Sequence, residues 1–139
     1  MIVVSLDHLP LFETYMKILT IDDQLLVTFS VQRILSNRGY TVKTAADGLE
    51  GVKIFEQFQP DLVIVDYHMP RMNGVEVVEY IRITRNSNIP ILIMSGSKDL
   101  TIIEKGFELG IADYLHKPVD LDKLVAAVSN LFERARIAI

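Results

Sequence analysis

The 139-residue chain has no cysteine. Disulfides, thiolate catalysis and cysteine-ligated zinc are therefore excluded, and a small disulfide-stapled secreted scaffold with them. No apolar run approaches the roughly 18 residues that would cross a bilayer. The opening "MIVVSLDHLP" lacks both the basic start and the long apolar centre of a signal peptide. Basic charge is not in excess either. The net charge of -4 gives no electrostatic reason to approach nucleic acid or an anionic membrane. Low-complexity tracts are missing too, so a cytoplasmic, globular domain is expected, with no direct nucleic-acid or membrane partner. Half the residues are apolar and 23% are charged, enough for one core and too short a chain for two.

What is present is a regular alternation. Five segments of strand length, at 17–21, 40–44, 61–65, 90–94 and 112–115, are separated by helical patterns at roughly 24–37, 48–58, 74–84, 99–109 and 120–135. Apolar residues recur at three-to-four spacing in the latter, as in Leu121, Leu124, Val128 and Leu131. Gly39, Pro60 and Gly110 fall where helices must stop. Strands alternating with helix-length crossovers imply a parallel sheet. The nearly all-apolar third and fourth strands imply central positions covered on both faces. The expected fold class is α/β, a three-layer, doubly wound (βα)5 sheet.

In such sheets ligands bind beyond the carboxyl ends of the strands. Asp66 ends strand 3 in "DLVIVDYHMP"; Asp22 and Asp23 end strand 1, Ser95 ends strand 4 and Lys117 ends strand 5. Singly, each has an ordinary reading: the acidic pair as a helix cap, Asp66 as a loop aspartate, Ser95 as a turn serine, Lys117 as a solvated lysine. Those readings do not place all five at one edge of one sheet. Three clustered carboxylates repel one another, and a hard divalent cation such as Mg²⁺ (or Mn²⁺) relieves the repulsion. Asp66 then suits the role of nucleophile on phosphorus, forming an acyl phosphate, with Lys117 and Ser95 neutralising phosphoryl oxygens.

These residues resemble a response regulator receiver domain of the CheY-like family, used in two-component signalling. The likeness covers residues 16 to about 136 and rests on "TIDDQ", on "VDYHMPRMNG" with Pro70 and Gly74, on "IMSGS" and on "YLHKP". It implies a flavodoxin-like strand order 2-1-3-4-5 and a phospho-acceptor role for Asp66. It also implies metal ligation by Asp22, Asp23, Asp66 and the backbone carbonyl of His68, and a switch pair formed by Ser95 and Tyr114. A histidine kinase or histidine phosphotransfer protein would supply the phosphate. The family's output face lies on the fourth helix, fifth strand and fifth helix, which can also form a homodimer. A downstream target or an output domain is expected beyond it. The domain would be no enzyme in the usual sense, promoting only phosphorylation and dephosphorylation of its own aspartate. Gly96, in place of the family's frequent alanine, is expected to keep the approach to the phosphate open.

A flavodoxin-type electron carrier would need a first loop that cradles a phosphate, and "IDDQLL" repels one. A haloacid dehalogenase-type phosphatase needs an aspartate two residues after its nucleophile, where this chain has His68. The remaining alternative is a receiver-like interaction module that is never phosphorylated. Residues 1–15 form an N-terminal extension ahead of a receiver domain at 16–139; its "MIVV" is expected to rest against an apolar surface.

Overall fold

The computed structural model describes residues 16–138. The expectation that "MIVV" rests on an apolar patch lies outside those residues. The strands are β1 (Lys17–Ile21), β2 (Thr41–Ala45), β3 (Leu62–Asp66), β4 (Ile91–Ser95) and β5 (Asp113–His116). The helices are α1 (Leu25–Ser36), α2 (Gly48–Phe58), α3 (Gly74–Glu79), α4 (Leu100–Glu108) and α5 (Leu121–Ala138). All strands are parallel, in the order β2-β1-β3-β4-β5. The expected three-layer fold and strand order are therefore present.

Every residue of β3 and β4 is buried, which is why both read as unbroken apolar runs. The edge strand β2 alternates exposed and partly buried residues instead. Alternate side chains along the strands feed two cores. Leu19, Ile21, Val63, Val65, Ile91 and Ile93 meet the helices α2, α3 and α4 through Val77, Val78, Ile81, Ile54 and Ile102. Ile18, Leu62, Ile64, Leu92 and Met94 meet α1 and α5 through Val31, Leu35, Leu124 and Val128. Fully burying one such side chain stabilises by roughly 1.5–3 kcal/mol, so the two layers together can tolerate unfavourably buried charge at one end of the sheet.

The termini of the helices follow their sequence signals. Asp47 caps α2, Asp99 caps α4, and Asn73 forms a reciprocal capping box with Glu76 at α3. Gly39 and Gly110 take left-handed backbone angles, φ 96° and 79°, just after α1 and α4. The expected helix 74–84 is α-helical only to Glu79. Residues Tyr80–Thr84 continue as a wider π-turn, closed by a hydrogen bond from the Arg85 N–H to the Tyr80 carbonyl. Within that turn Arg82 donates to the carbonyls of Ser87, Leu109 and Gly110, tying the end of α3 to the end of α4.

Candidate functional site

The expected strands at 40–44, 61–65, 90–94 and 112–115 all sit one residue further along the chain. Asp66 and Ser95 are thereby the last paired residues of their strands rather than the first residues of loops. Asp66 lies opposite Met94 in the ladder, and the Tyr67 N–H continues the pairing to the Met94 carbonyl at 3.3 Å. The Asp66 carboxyl is thus mounted on a fully buried central strand that is paired on both sides.

Asp22 follows β1 and is fully buried; its N–H donates to the Ala45 carbonyl at 3.0 Å. Its Oδ1 accepts from the Gln24 N–H at 2.9 Å, and the Thr28 hydroxyl donates to its carbonyl at 3.1 Å. Asp23, beside it, is exposed. One carboxylate oxygen each from Asp22, Asp23 and Asp66 lies within 4.8 Å of the others. The Lys117 ammonium is shared among three oxygens: Asp22 Oδ2 at 2.7 Å, Gln24 Oε1 at 2.9 Å and Asp66 Oδ2 at 3.4 Å. The Lys117 N–H donates to the Ser95 carbonyl at 3.0 Å, which fixes where the side chain starts, and the peptide bond to Pro118 is cis.

Four of the five strand-end groups therefore meet directly, and the electrostatics are unbalanced. Burial, first, and the neighbouring Asp22 charge, second, push the Asp66 carboxyl up to about 6, against the pull of Lys117. Asp22 Oδ2 is buried with no hydrogen bond of good angle; its 2.7 Å approach to Lys117 is a contact of charge. A buried carboxylate oxygen in that position, with two further carboxylates in reach and one ammonium among the three, fits a hard divalent cation. Asp22, Asp23 and Asp66 are the side chains able to hold it.

Ser95 is buried, and its oxygen accepts from the Ser97 N–H at 3.1 Å, which leaves the hydroxyl hydrogen free to donate. The Tyr114 ring is buried as well. Its hydroxyl donates to the Ser97 carbonyl at 3.1 Å, and the ring meets His116 edge-on at 5.5 Å between centroids. The aromatic member of the expected switch pair is thus on the buried side in this structure. His68 is exposed and packs its ring edge-on against Tyr67. Gly96 is exposed too, and a Cβ built there would meet nothing within 4 Å. No protein neighbour thus demands glycine at this position. Gly74 is the glycine the site needs: a Cβ there would lie 2.5 Å from the Asp66 carbonyl oxygen.

Sequence reasoning missed Gln24. It begins α1 without capping it through its side chain, and the freed amide oxygen turns to Lys117. Its signal was only a polar side chain directly after the acidic pair. A groove of about 710 Å³ runs from Asp66 and Lys117 along α1, past Leu26, Val27 and Leu121.

A doubly wound parallel sheet with an acid cluster and a lysine at its strand ends presents a charged site where such sheets bind ligands. The comparisons with known proteins are specific. The response regulator receiver domain model matches residues 18–129. The response regulator MprA of Mycobacterium leprae is 36% identical over 121 residues, covering 87% of this chain and 53% of the relative. MprA of Mycobacterium ulcerans is also 36% identical over 121 residues, 52% of its length. The chain spans about half the length of these curated relatives. A receiver domain protein from Clostridium thermocellum superposes with a TM-score of 0.82 at 29% identity, over 90% of this chain and all of that one. Chemotaxis response regulator CheY4 of Vibrio cholerae gives 0.77 at 29%, over 84% and 98%. The chain belongs to the response regulator receiver family of two-component signalling.

Proposed function

We propose that residues 16–139 act as a phosphoryl-accepting receiver, with residues 1–15 as an extension, and that Asp66 is the acceptor. The observation that carries the reading is the sharing of Lys117 between Asp22 and Asp66 within a cluster of three carboxylates. The phosphodonor is a histidine kinase or histidine phosphotransfer protein. An Asp66 carboxylate oxygen attacks phosphorus, the phosphorus–nitrogen bond to the donor imidazole breaks, and the electron pair leaves with that nitrogen. Asp22, Asp23, Asp66 and the His68 backbone carbonyl would hold Mg²⁺ or Mn²⁺, which supplies charge neutralisation for the phosphoryl oxygens. Lys117 donates to one phosphoryl oxygen and the free hydroxyl hydrogen of Ser95 to another. Gln24 remains as a neutral partner for Lys117 while the ammonium reaches outward. No outside substrate is turned over; the domain promotes only the gain and loss of its own acyl phosphate.

The donor is a protein, because the groove beside Asp66 is bordered by an exposed apolar patch on α1, where Leu25, Leu26 and Phe29 are 75%, 83% and 62% exposed. Signal output runs through Ser95 and Tyr114 to the face of α4, β5 and α5. There a downstream target, an output domain or a second copy would bind. Phosphate acts as a bias on a conformation already available, holding the Ser95–Ser97 segment that the Tyr114 hydroxyl grips. Among the described residues no helix is long and apolar enough to cross a membrane, and the reading places the domain in the cytoplasm.

One experiment tests both halves. Acetyl phosphate with Mg²⁺ should add one phosphoryl group, labile to hydroxylamine, and NMR shifts should spread from Asp66 to residues 95–116 and α5. Asp66→Asn should abolish both. Undiminished labelling of that variant would sink the acceptor assignment; shifts confined to the loops around Asp22, Asp66 and Lys117 would refute the output route and leave the acceptor standing.

A further inference from the structure

The loop from Asp66 to Asn73 carries the acceptor and the His68 carbonyl, yet His68, Pro70 and Arg71 are all exposed. Its internal bonds are few. The Met72 N–H donates to the Pro70 carbonyl at 2.8 Å and the Gly74 N–H to the Tyr67 carbonyl at 2.9 Å. Between them Arg71 takes a left-handed φ of 70°, which a residue with a Cβ disfavours. A loop of this kind holds one shape only when something outside it does so.

That support comes from the turn between β2 and α2. The Arg71 guanidinium pairs with the Asp47 carboxylate, whose other oxygen accepts from the Glu50 N–H at 2.9 Å and caps α2. These two contacts, the backbone bond first, hold the Asp47 carboxyl below the usual range. Next to it, Gly48 lies so close to the loop that a Cβ would fall 2.3 Å from the Met72 carbonyl oxygen. Three residues earlier, the Ala45 carbonyl receives the Asp22 N–H. One short turn, residues 45–48, therefore touches both the acidic-pair segment and the acceptor loop.

We propose that the Asp47–Arg71 pair, seated on Gly48, is a brace that positions the acceptor loop against the acidic pair, making Asp47 and Arg71 positioning residues for cation binding at Asp22, Asp23 and Asp66. The inference rests on the receiver reading above. It assigns Asp47 two separable roles, cap and anchor. An ion pair whose arginine is 61% exposed contributes little to global stability, so its effect is local to the loop.

The test is an NMR titration of the full chain with Mg²⁺, alongside thermal unfolding without metal. Asp47→Ser keeps an oxygen to cap α2 and removes the partner of Arg71; Arg71→Ala removes the other half. Each variant should weaken the Mg²⁺ Kd about three- to tenfold, and the double variant should be no weaker than either alone, as residues acting through one contact are non-additive. Metal-free shifts should concentrate in residues 45–50 and 66–74, the metal-free Tm should stay near that of the original chain, and Arg71→Lys should restore part of the affinity. Unchanged Kd values in both single variants, or losses that add in the double, would overturn the brace while leaving the receiver reading intact. If the unsubstituted chain shows no Mg²⁺ response, both fall together. Should Asp47→Ser lose its fold, Arg71→Ala and Arg71→Lys at the exposed position decide alone.

Discussion

The two ends of the sheet handle charge in opposite ways. At the amino ends, the Lys17 N–H donates to Asp61 Oδ2 at 2.8 Å and its ammonium donates to the Phe58 carbonyl at 2.8 Å. The same ammonium lies 5.3 Å from the Phe58 ring centre, with Lys43 at 5.7 Å. The Asp61 N–H returns a bond to the Lys17 carbonyl. Lys17, Lys43 and Asp61 are held there by backbone groups and one aromatic ring. At the carboxyl ends three carboxylates face one ammonium, two of the carboxylates are buried, and one buried oxygen has no hydrogen bond of good angle. Charges satisfied in this way oppose the fold little. An edge with surplus negative charge is held together despite it, and that surplus is what a cation can relieve.

The contrast can be broken most forcefully at Asp66. Its pKa of about 6 in the folded chain stands above the 3.8 of an unperturbed aspartate. Below pH 4 both states hold the proton and the group is neutral to folding. As pH rises from about 4 to 6 the unfolded state loses its proton first, so stability falls, and above 6 the full penalty is present. At 1.36 kcal/mol for each pKa unit, the penalty is about 3 kcal/mol as an upper figure. Asp66→Asn should therefore unfold at higher temperature than the unsubstituted chain at pH 7.5, and the gap should close toward pH 4. Parallel melting temperatures across that range would mean that burial of the carboxylate is not unfavourable after all.

A smaller effect is expected from the cation. A ligand of the native state at ten times its Kd stabilises by about 1.4 kcal/mol, a shift of a few degrees in Tm for a domain of this size. Mg²⁺ should produce that rise, EDTA should remove it, and Asp23→Asn should shrink it, since one of three carboxylates is lost. Equal melting curves in Mg²⁺ and EDTA would refute the cation site.

The smallest effect belongs to the other end. Asp61→Ala removes the carboxylate that receives the Lys17 N–H, and should cost no more than about 1 kcal/mol because the contact is near solvent. Its Mg²⁺ response should match that of the unsubstituted chain. A lost response would show that the two ends are coupled through β1 and β3, and that the contrast between them is false.

Much of this was legible in the order of residues. The β-α alternation located the sheet, and the strand-end rule brought Asp22, Asp66, Ser95 and Lys117 to one edge. The one-residue displacement of four strands was not legible, because a strand ends where its neighbour stops pairing, as at Asp66 opposite Met94. Nor was the π-turn at Tyr80–Thr84: its apolar spacing reads as ordinary helix, while the three carbonyls that hold Arg82 come from Ser87 and from Leu109 and Gly110.

Sequence alone determined which chemistry is possible, since the period of the strands and the identity of the residues ending them are local properties. Those properties set a carboxylate, an acidic pair, a hydroxyl and an ammonium at one edge, whatever the details of packing. Tertiary structure decided the state of that chemistry. The raised pKa of Asp66, the three partners of Lys117, the inward ring of Tyr114, the part taken by Gln24 and the Asp47–Arg71 contact all depend on distances between segments far apart in the chain. Electrostatic energy varies with those distances and with the water excluded from between the groups, and neither exists until the sheet has closed around them.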